Sequence, residues 1–266
     1  MSWNCLLERV ATTQSTNDDL LARWRAGTLE QPVARIARQQ TAGKGRAGRV
    51  WLAQAEDTLC FSLAYPFSCR PHALSGLSLV IGLCVINGIA AALGTTENAL
   101  FDQGLRLKWP NDLLLNNAKL GGILIEGGQV NPSSPTWMII GVGLNIQNET
   151  ALQQKLEGQS AFGAAALEQL VSKEAPVPDI EFIWLKIIDS FEKYLTEFER
   201  SGFTPFKDAW ERWDAFRGQA IYIPGAGTQT LHGIASGVDS SGALLLNQPH
   251  QNIAIHAGDV SLRMQL

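Results

Sequence analysis

Leu6 to Val10, with apolar residues on either side of Glu8 and Arg9, reads as a first strand. Ser15-Thr16-Asn17 then precedes Asp18 to Trp24, with Gly27 beyond it. Capping residues and acids at the start, and glycine past the end, predict a helix. Val33 to Arg38 alternates small or apolar residues with basic ones, the period of a strand. A second extended run, Thr58 to Leu63, is followed by Ala73 to Leu93, an uncharged stretch that predicts a helix buried in the core. Leu105 to Trp109 alternates again, with Arg106 and Lys108 on one face and Leu105, Leu107 and Trp109 on the other. Pro110 ends that strand, and Asn111-Asp112 is expected to turn the chain. Lys119 to Glu126 and Trp137 to Asn145 are two further glycine-bearing strands. Glycine inside a strand predicts close approach of a ligand or of a packed element.

The second half is more helical at first. Ser160 to Leu170 reads as a short alanine-rich helix, and Asp179 to Phe198 as a strongly amphipathic one. Thr204 is expected to cap a third, with Pro205 in its first turn. Trp210 and Trp213 on it are expected in the core. From about Phe216 the texture changes to short strands: Ala220–Ile223, Thr230–Ala235, Ala243–Leu246, Ile253–His256 and Val260–Arg263. Asp239 to Gly242 is a hairpin-type turn between them. The pattern predicts an α+β protein, with a main domain over 1–215 and a small β-barrel over 216–266.

Composition narrows the function. The chain is 45% hydrophobic and 17% charged with a net charge of −4, ordinary for a soluble domain and poor for a broad nucleic-acid surface. Cys5, Cys60, Cys69 and Cys84 have neither paired nor metal-ligand spacing, as expected of reduced thiols in the cytoplasm. The four histidines are scattered and there is no G-x-S-x-G, so zinc and covalent nucleophilic chemistry are poorly supported. Polar residues dilute the Ala73–Leu93 stretch, so no membrane span is expected, and Glu8 and Arg9 interrupt the N-terminal residues, so no signal peptide is expected.

The strongest chemical signal is Gly43-Lys44-Gly45-Arg46-Ala47-Gly48-Arg49, with three glycines and three cations in seven residues. Glycines let backbone amides close on an anion, and the cations add charge. The spacing also matches a dinucleotide fingerprint, but extended chain follows it where that motif needs a helix. A kinase reading fails for want of its other motifs. Ser15-Thr16-Asn17 offers more polar groups than a cap needs, so a ligand role stands beside simple capping. Lys108 is either an anion-binding group or a solvated edge-strand lysine. Asp112 could orient it, bind metal or only make the turn.

These segments, in order, resemble a biotin protein ligase: Ser15-Thr16-Asn17, Gln40 to Arg49 with Trp51, Lys108-Trp109-Pro110-Asn111-Asp112, Lys119 to Glu126, and Gly141-x-Gly143-x-Asn145. The resemblance covers almost the whole chain and is specific as an ordered set. It implies a class II synthetase-like mixed sheet packed with helices, plus an SH3-like C-terminal domain. It also implies that biotin is activated with ATP and Mg²⁺ to biotinyl-5′-AMP, then transferred to one lysine of a biotin carboxyl carrier protein such as that of acetyl-CoA carboxylase.

By the same resemblance, Lys108 and Arg46 are the catalytic pair. Ser15, Thr16, Asn17, Gln40, Lys44, Gly45, Arg46 and Lys108 surround biotin, and Gly43, Arg49, Asn111 and Asn145 lie near the nucleotide. Metal ligands are not legible, and no tightly bound prosthetic group is implied. Phe162 is a weak candidate to stack on adenine. DNA is not an expected partner, since some relatives carry an N-terminal DNA-binding part that this sequence does not show, and no membrane partner is expected in the absence of a span; a homodimer is compatible. Lys44 stands where the family usually has arginine and loses the planar fork. Ala47 stands where some members carry another arginine. The competing readings are a lipoate or octanoate ligase or transferase, and a biotin sensor without turnover.

Overall fold

The computed structural model describes residues 3–148, 150, 163–172, 175–224, 230–256 and 263–264. Seven strands build the main sheet: β1 (Leu6–Thr13), β2 (Val33–Gln40), β3 (Thr58–Phe67), β4 (Leu105–Lys108), β5 (Asp112–Leu115), β6 (Ala118–Gly128) and β7 (Thr136–Asn145). Their spatial order is β1-β2-β3-β7-β6-β5-β4. β1 and β2 run parallel and every other neighbouring pair antiparallel, so the sheet is mixed.

Period-two alternation gives this sheet two different faces. On β3, Leu59, Phe61 and Leu63 join the large core with helices α2 (Leu77–Ala92) and α4 (Ile180–Ser201). Ala64 faces the other way, into a smaller cluster with Leu20 and Leu21 of α1 (Thr16–Arg25). Ser62, on that same face, binds residues of α1. The back face is therefore sealed by helices, whereas the front carries α1 and the polar groups described below.

α2 is buried along its length, as its lack of charge predicts, and no helix among the described residues is long and apolar enough to cross a membrane. α4 extends the predicted 179–198 element to Ser201 and ends at Gly202. Asp179 caps it by accepting the Glu181 and Phe182 N–H groups. A short helix, α3 (Glu97–Asp102), capped by Thr96, was not legible.

Three expectations need correction. Asp112 does not merely turn the chain. The turn closes over Trp109–Asn111, Asn111 N donates to Lys108 O at 3.1 Å, and Asp112 already opens β5, paired with Lys108. The Ser160–Leu170 helix is not formed where it can be seen. Residues 160–162, with Phe162, lie outside the described residues; Gly163–Ala166 is extended; only Leu167–Leu170 makes a 3-10 turn. Pairing overrides alanine's helix propensity there: Lys119 N donates to Gly163 O at 2.7 Å and Ala165 N to Lys119 O at 2.9 Å. Thr204 is not a cap but the first residue of a 3-10 turn, Thr204–Phe206, that leads into α5 (Lys207–Trp213).

The C-terminal strands form a second, antiparallel sheet, consistent with an SH3-like domain. They are β8 (Ala220–Ile223), β9 (Leu231–Val238), β10 (Leu244–Gln248), β11 (Gln251–Ile255) and β12 (Arg263–Met264), in the order β11-β10-β9-β8-β12. Asp239 Oδ1 accepts the Ser241 and Ala243 N–H groups and so shapes the predicted turn. This sheet is joined to the Lys108–Asp112 hairpin. Ala215 N donates to Leu107 O at 2.8 Å, and the buried Trp109 donates from Nε1 to Gly242 O at 3.1 Å.

Candidate active site

Register places a row of residues across the front face. Lys108 pairs with Asp112, Asp112 with Gly122, Gly122 with Gly143, Gly143 with Cys60, and Cys60 with Ala37. The middle of the row has no side chains, so the sheet backbone forms the floor of a cleft. Two elements descend on it. The Trp51 ring lies against Gly143, where an added Cβ would sit 2.5 Å from the indole. The Asn17 amide lies against Gly141, where a Cβ would come within 2.4 Å of Oδ1. The glycines expected to admit a close neighbour thus admit both a helix residue and a loop residue.

The glycine loop is a small hairpin. Gly45 N donates to Arg49 O at 2.7 Å, Trp51 N donates to Gly43 O at 2.9 Å, and Lys44 bridges Val50. Ala47 and Gly48 turn the tip at φ 53° and 70°. Arg46 Nη1 donates to Asn111 Oδ1 at 3.1 Å, and Asn111 Nδ2 donates to Ile123 O at 2.7 Å. The flap is thereby tethered to the Lys108–Asp112 hairpin. Arg49 donates from Nε to Arg46 O and is exposed. Lys44 points elsewhere, pairing with Asp18 of α1 at 2.7 Å.

At one end of the row Asp112 is held between Lys108 at 3.2 Å and Lys119 at 2.7 Å. Burial raises the Asp112 carboxyl, but the two ammonium groups more than offset it, so it titrates below the usual carboxylate range. Burial lowers Lys108, with Asp112 opposing, and the charges of Lys119 and Arg49 add to the lowering. The two lysines are not equivalent: the Lys108 side chain is 7% exposed, that of Lys119 31%. Lys119 Nζ also stands 5.8 Å from the centre of the Trp51 ring, over the glycine floor. Lys119 is the cation this arrangement presents to the cleft, with Lys108 behind the carboxylate. The Lys-Leu-Gly-Gly sequence at 119–122 was the available signal, since the glycines clear the floor beside that lysine.

The other end is a polar hydrogen-bonded cluster without a cation among the groups that follow. Gln40 Oε1 accepts the Thr16 N–H at 2.7 Å, Thr16 Oγ1 lies 2.7 Å from Ser62 Oγ, and Ser62 Oγ donates to Asn17 Oδ1 at 2.6 Å. Asn17 Nδ2 donates to Glu126 Oε2 at 2.9 Å. Ser15 caps α1 by accepting the Asp18 N–H. Ser62 and Glu126 escape sequence reasoning because they meet Asn17 only across the folded sheet.

The structure thus brings Thr16, Asn17 and Gln40 together at one end, and Arg46, Arg49, Asn111 and Lys108 at the other. Two strand spacings, roughly 10 Å, separate the strands bearing Ser62 and Lys119. Asn145 is not at the cleft surface: it is buried and donates from Nδ2 to Lys119 O and Ala165 O. Cys60 is buried in the row with its thiol pushed up to about 12, which excludes a thiolate nucleophile at neutral pH. No group of three or more histidine, cysteine or acidic side chains gathers as a metal cage among the described residues.

Comparison with known proteins gives a consistent picture. The model of the biotin/lipoate A/B protein ligase family matches residues 9–145, and that of the biotin protein ligase C terminal domain matches residues 217–263. The bifunctional ligase/repressor BirA of Escherichia coli is 34% identical over 251 residues, covering 94% of this chain and 71% of that protein. A biotin--[acetyl-CoA-carboxylase] ligase of Paracoccus denitrificans is 31% identical over 94% of this chain and 98% of its own. Among solved structures, the biotin protein ligase of Aquifex aeolicus in complex with biotin and ATP superposes with a TM-score of 0.77 at 25% identity, covering 98% of this chain and 99% of that one.

Proposed function

The chain belongs to the biotin/lipoate A/B protein ligase family, and on that premise we propose how its cleft activates biotin with ATP and passes the biotinyl group to a carrier lysine. It is an ATP-dependent biotin ligase. The C-terminal match and the relatives named for biotin favour that substrate over lipoate. The observation that carries the assignment of roles is the polarity of the cleft. A hydrogen-bonding end lined by a hydroxyl and amides and a cationic end lie roughly two strands apart.

Thr16, Asn17 and Gln40 take the ureido end of biotin. Lys119 and Arg46 meet the carboxylate and the α-phosphate, whose mutual repulsion otherwise opposes attack. The carboxylate oxygen attacks the α-phosphorus, pyrophosphate leaves, and an acyl-adenylate forms. A carrier lysine then attacks the acyl carbon and AMP departs. The protein works by positioning and charge stabilisation, without a nucleophile of its own. Asp112 is engaged by two lysines, so Mg²⁺ is best read as entering with the triphosphate, as part of the substrate. The flap, tethered through Arg46, covers the adduct against water.

Pyrophosphate release is the direct test. It should require biotin and ATP together and should not occur with lipoate in place of biotin. Release with lipoate but not biotin would overturn the substrate assignment. Binding of biotin with no release under any condition would point to a sensor.

A further inference from the structure

We propose that Glu126 is a positioning residue for biotin, acting through the chain Asn17–Ser62–Thr16. The proposal rests on the biotin reading above and adds a residue to it. The argument is a count of protons. Asn17 is 3% exposed and its amide can sit in two orientations. A carboxylate at Glu126 can only accept, so it takes one of the two Nδ2 protons at 2.9 Å and fixes Oδ1 toward Ser62. Oδ1 can only accept in turn, so the single Ser62 proton is spent on it at 2.6 Å. Ser62 is fully buried, and its oxygen must then accept from Thr16 Oγ1 at 2.7 Å. Thr16 Oγ1 also lies 3.0 Å from Gln40 Oε1, but that oxygen already accepts the Thr16 N–H at 2.7 Å. Were the Thr16 proton given to Gln40, the short Thr16–Ser62 contact would hold no proton, which is the costlier arrangement.

Every proton in the chain therefore runs toward Glu126. Thr16 Oγ1 is left with lone pairs, not a proton, to offer a ligand. An acceptor there suits the N–H of a cyclic urea. A neutral amide in place of the carboxylate can donate as well as accept. It lets Asn17 turn over, reverses the chain and points the Thr16 proton outward. Glu126 acts four groups away and need not touch the ligand.

The test compares the wild-type protein, Glu126→Gln and Glu126→Asp in biotin-dependent pyrophosphate release. Glu126→Gln should raise the KM for biotin by about tenfold, the cost of one mismatched hydrogen bond. The KM for ATP, the kcat and the melting temperature without ligand should stay close to wild type. Glu126→Asp keeps an acceptor-only group and should recover most of the loss. An unchanged biotin KM in Glu126→Gln would overturn the proposal. So would a fall in kcat and melting temperature matching the rise in KM, or a Glu126→Asp protein no better than Glu126→Gln. If the wild-type protein itself releases no pyrophosphate with biotin, the functional reading fails first, and that control distinguishes the two failures.

Discussion

Asp112 and Glu211 are each a largely buried carboxylate held between two cations, in two different regions of the molecule. Asp112 lies between Lys108 and Lys119 at one end of the main sheet. Glu211 lies between Lys207 and Arg217 where α5 meets the C-terminal sheet. Both acids titrate below the usual range: burial raises each, and the neighbouring cations, joined at Glu211 by the Val238 N–H, more than compensate. What differs is what they face. Glu211 Oε1 also accepts the Val238 N–H of β9, so its charge stitches α5 to that sheet. Asp112 leaves Lys119 leaning over a glycine floor beneath Trp51. An ion triad is a joint or a working site according to its surroundings, not its composition.

The largest expected effect tests the working site. Lys119→Ala should slow acyl-adenylate formation by about 10²-fold or more, the scale of losing one preorganised charge at a transition state. Its melting temperature should change little, because Asp112 keeps Lys108. Lys108→Ala should do the reverse, costing stability first, since it strips a buried carboxylate of its interior partner. Single-turnover measurement of the adenylate would settle the order. A larger rate loss for Lys108→Ala would return the catalytic role to that residue.

Next comes the joint. Glu211→Ala leaves Lys207 and Arg217 unpaired, but both reach water at 31% and 53% exposure, so the loss should be about 2 kcal/mol, below that of a fully buried pair. Urea denaturation should show it, with kcat within twofold of wild type. A kcat that falls with stability retained would mean that the joint, too, serves the chemistry.

The contrast also marks what the sequence could disclose. Elements with a strong period were legible: α2, α4, β2, β3 and β7 sit close to where alternation or a helical stripe put them. The flap was legible because glycines and cations at that density are hard to explain otherwise. Long-range partners were not. Ser62 looks like any strand serine until β3 brings it between Thr16 and Asn17. Lys108 and Lys119 are each a lysine near a turn, and only the register of β4, β5 and β6 ranks them by burial. Gly163–Ala166 defeated propensity because a four-residue run took its hydrogen bonds from Lys119.

A smaller effect separates two carboxylates at the joint by pH. Asp214, three residues from Glu211, is raised to about 6 by burial, with the Phe216 N–H and Arg217 opposing and Glu211 assisting. Its folded form keeps a proton that the unfolded chain, near 3.8, has lost. Folding therefore takes up a proton between those values. The contribution of Asp214 is most favourable below about 4 and declines as pH rises through 6, by roughly 1–3 kcal/mol in all. Glu211 slopes the other way, its contribution lost as pH falls through its lowered pKa. Asp214→Asn should remove the falling limb between pH 4 and 6 in a pH series of urea midpoints; an unaltered profile would assign that limb elsewhere.

The smallest effect concerns the flap's other tether. Lys44 and Asp18 meet at 2.7 Å but are 50% and 37% exposed, the opposite of the Asp112 environment. Solvent and side-chain entropy cancel most of such a pair, so Lys44→Ala should cost no more than about 0.5 kcal/mol. Even that should weaken as salt is added, because both groups stand in solvent where counterions compete for them. The KM for biotin should move less than about twofold, because the Lys44 charge is turned to α1 and a water-exposed pair contributes little. A much larger rise in KM, insensitive to salt, would show that Lys44 leaves Asp18 when ligand binds and joins the cationic end of the cleft. The flap would then hold biotin with both of its limbs, not through Arg46 alone.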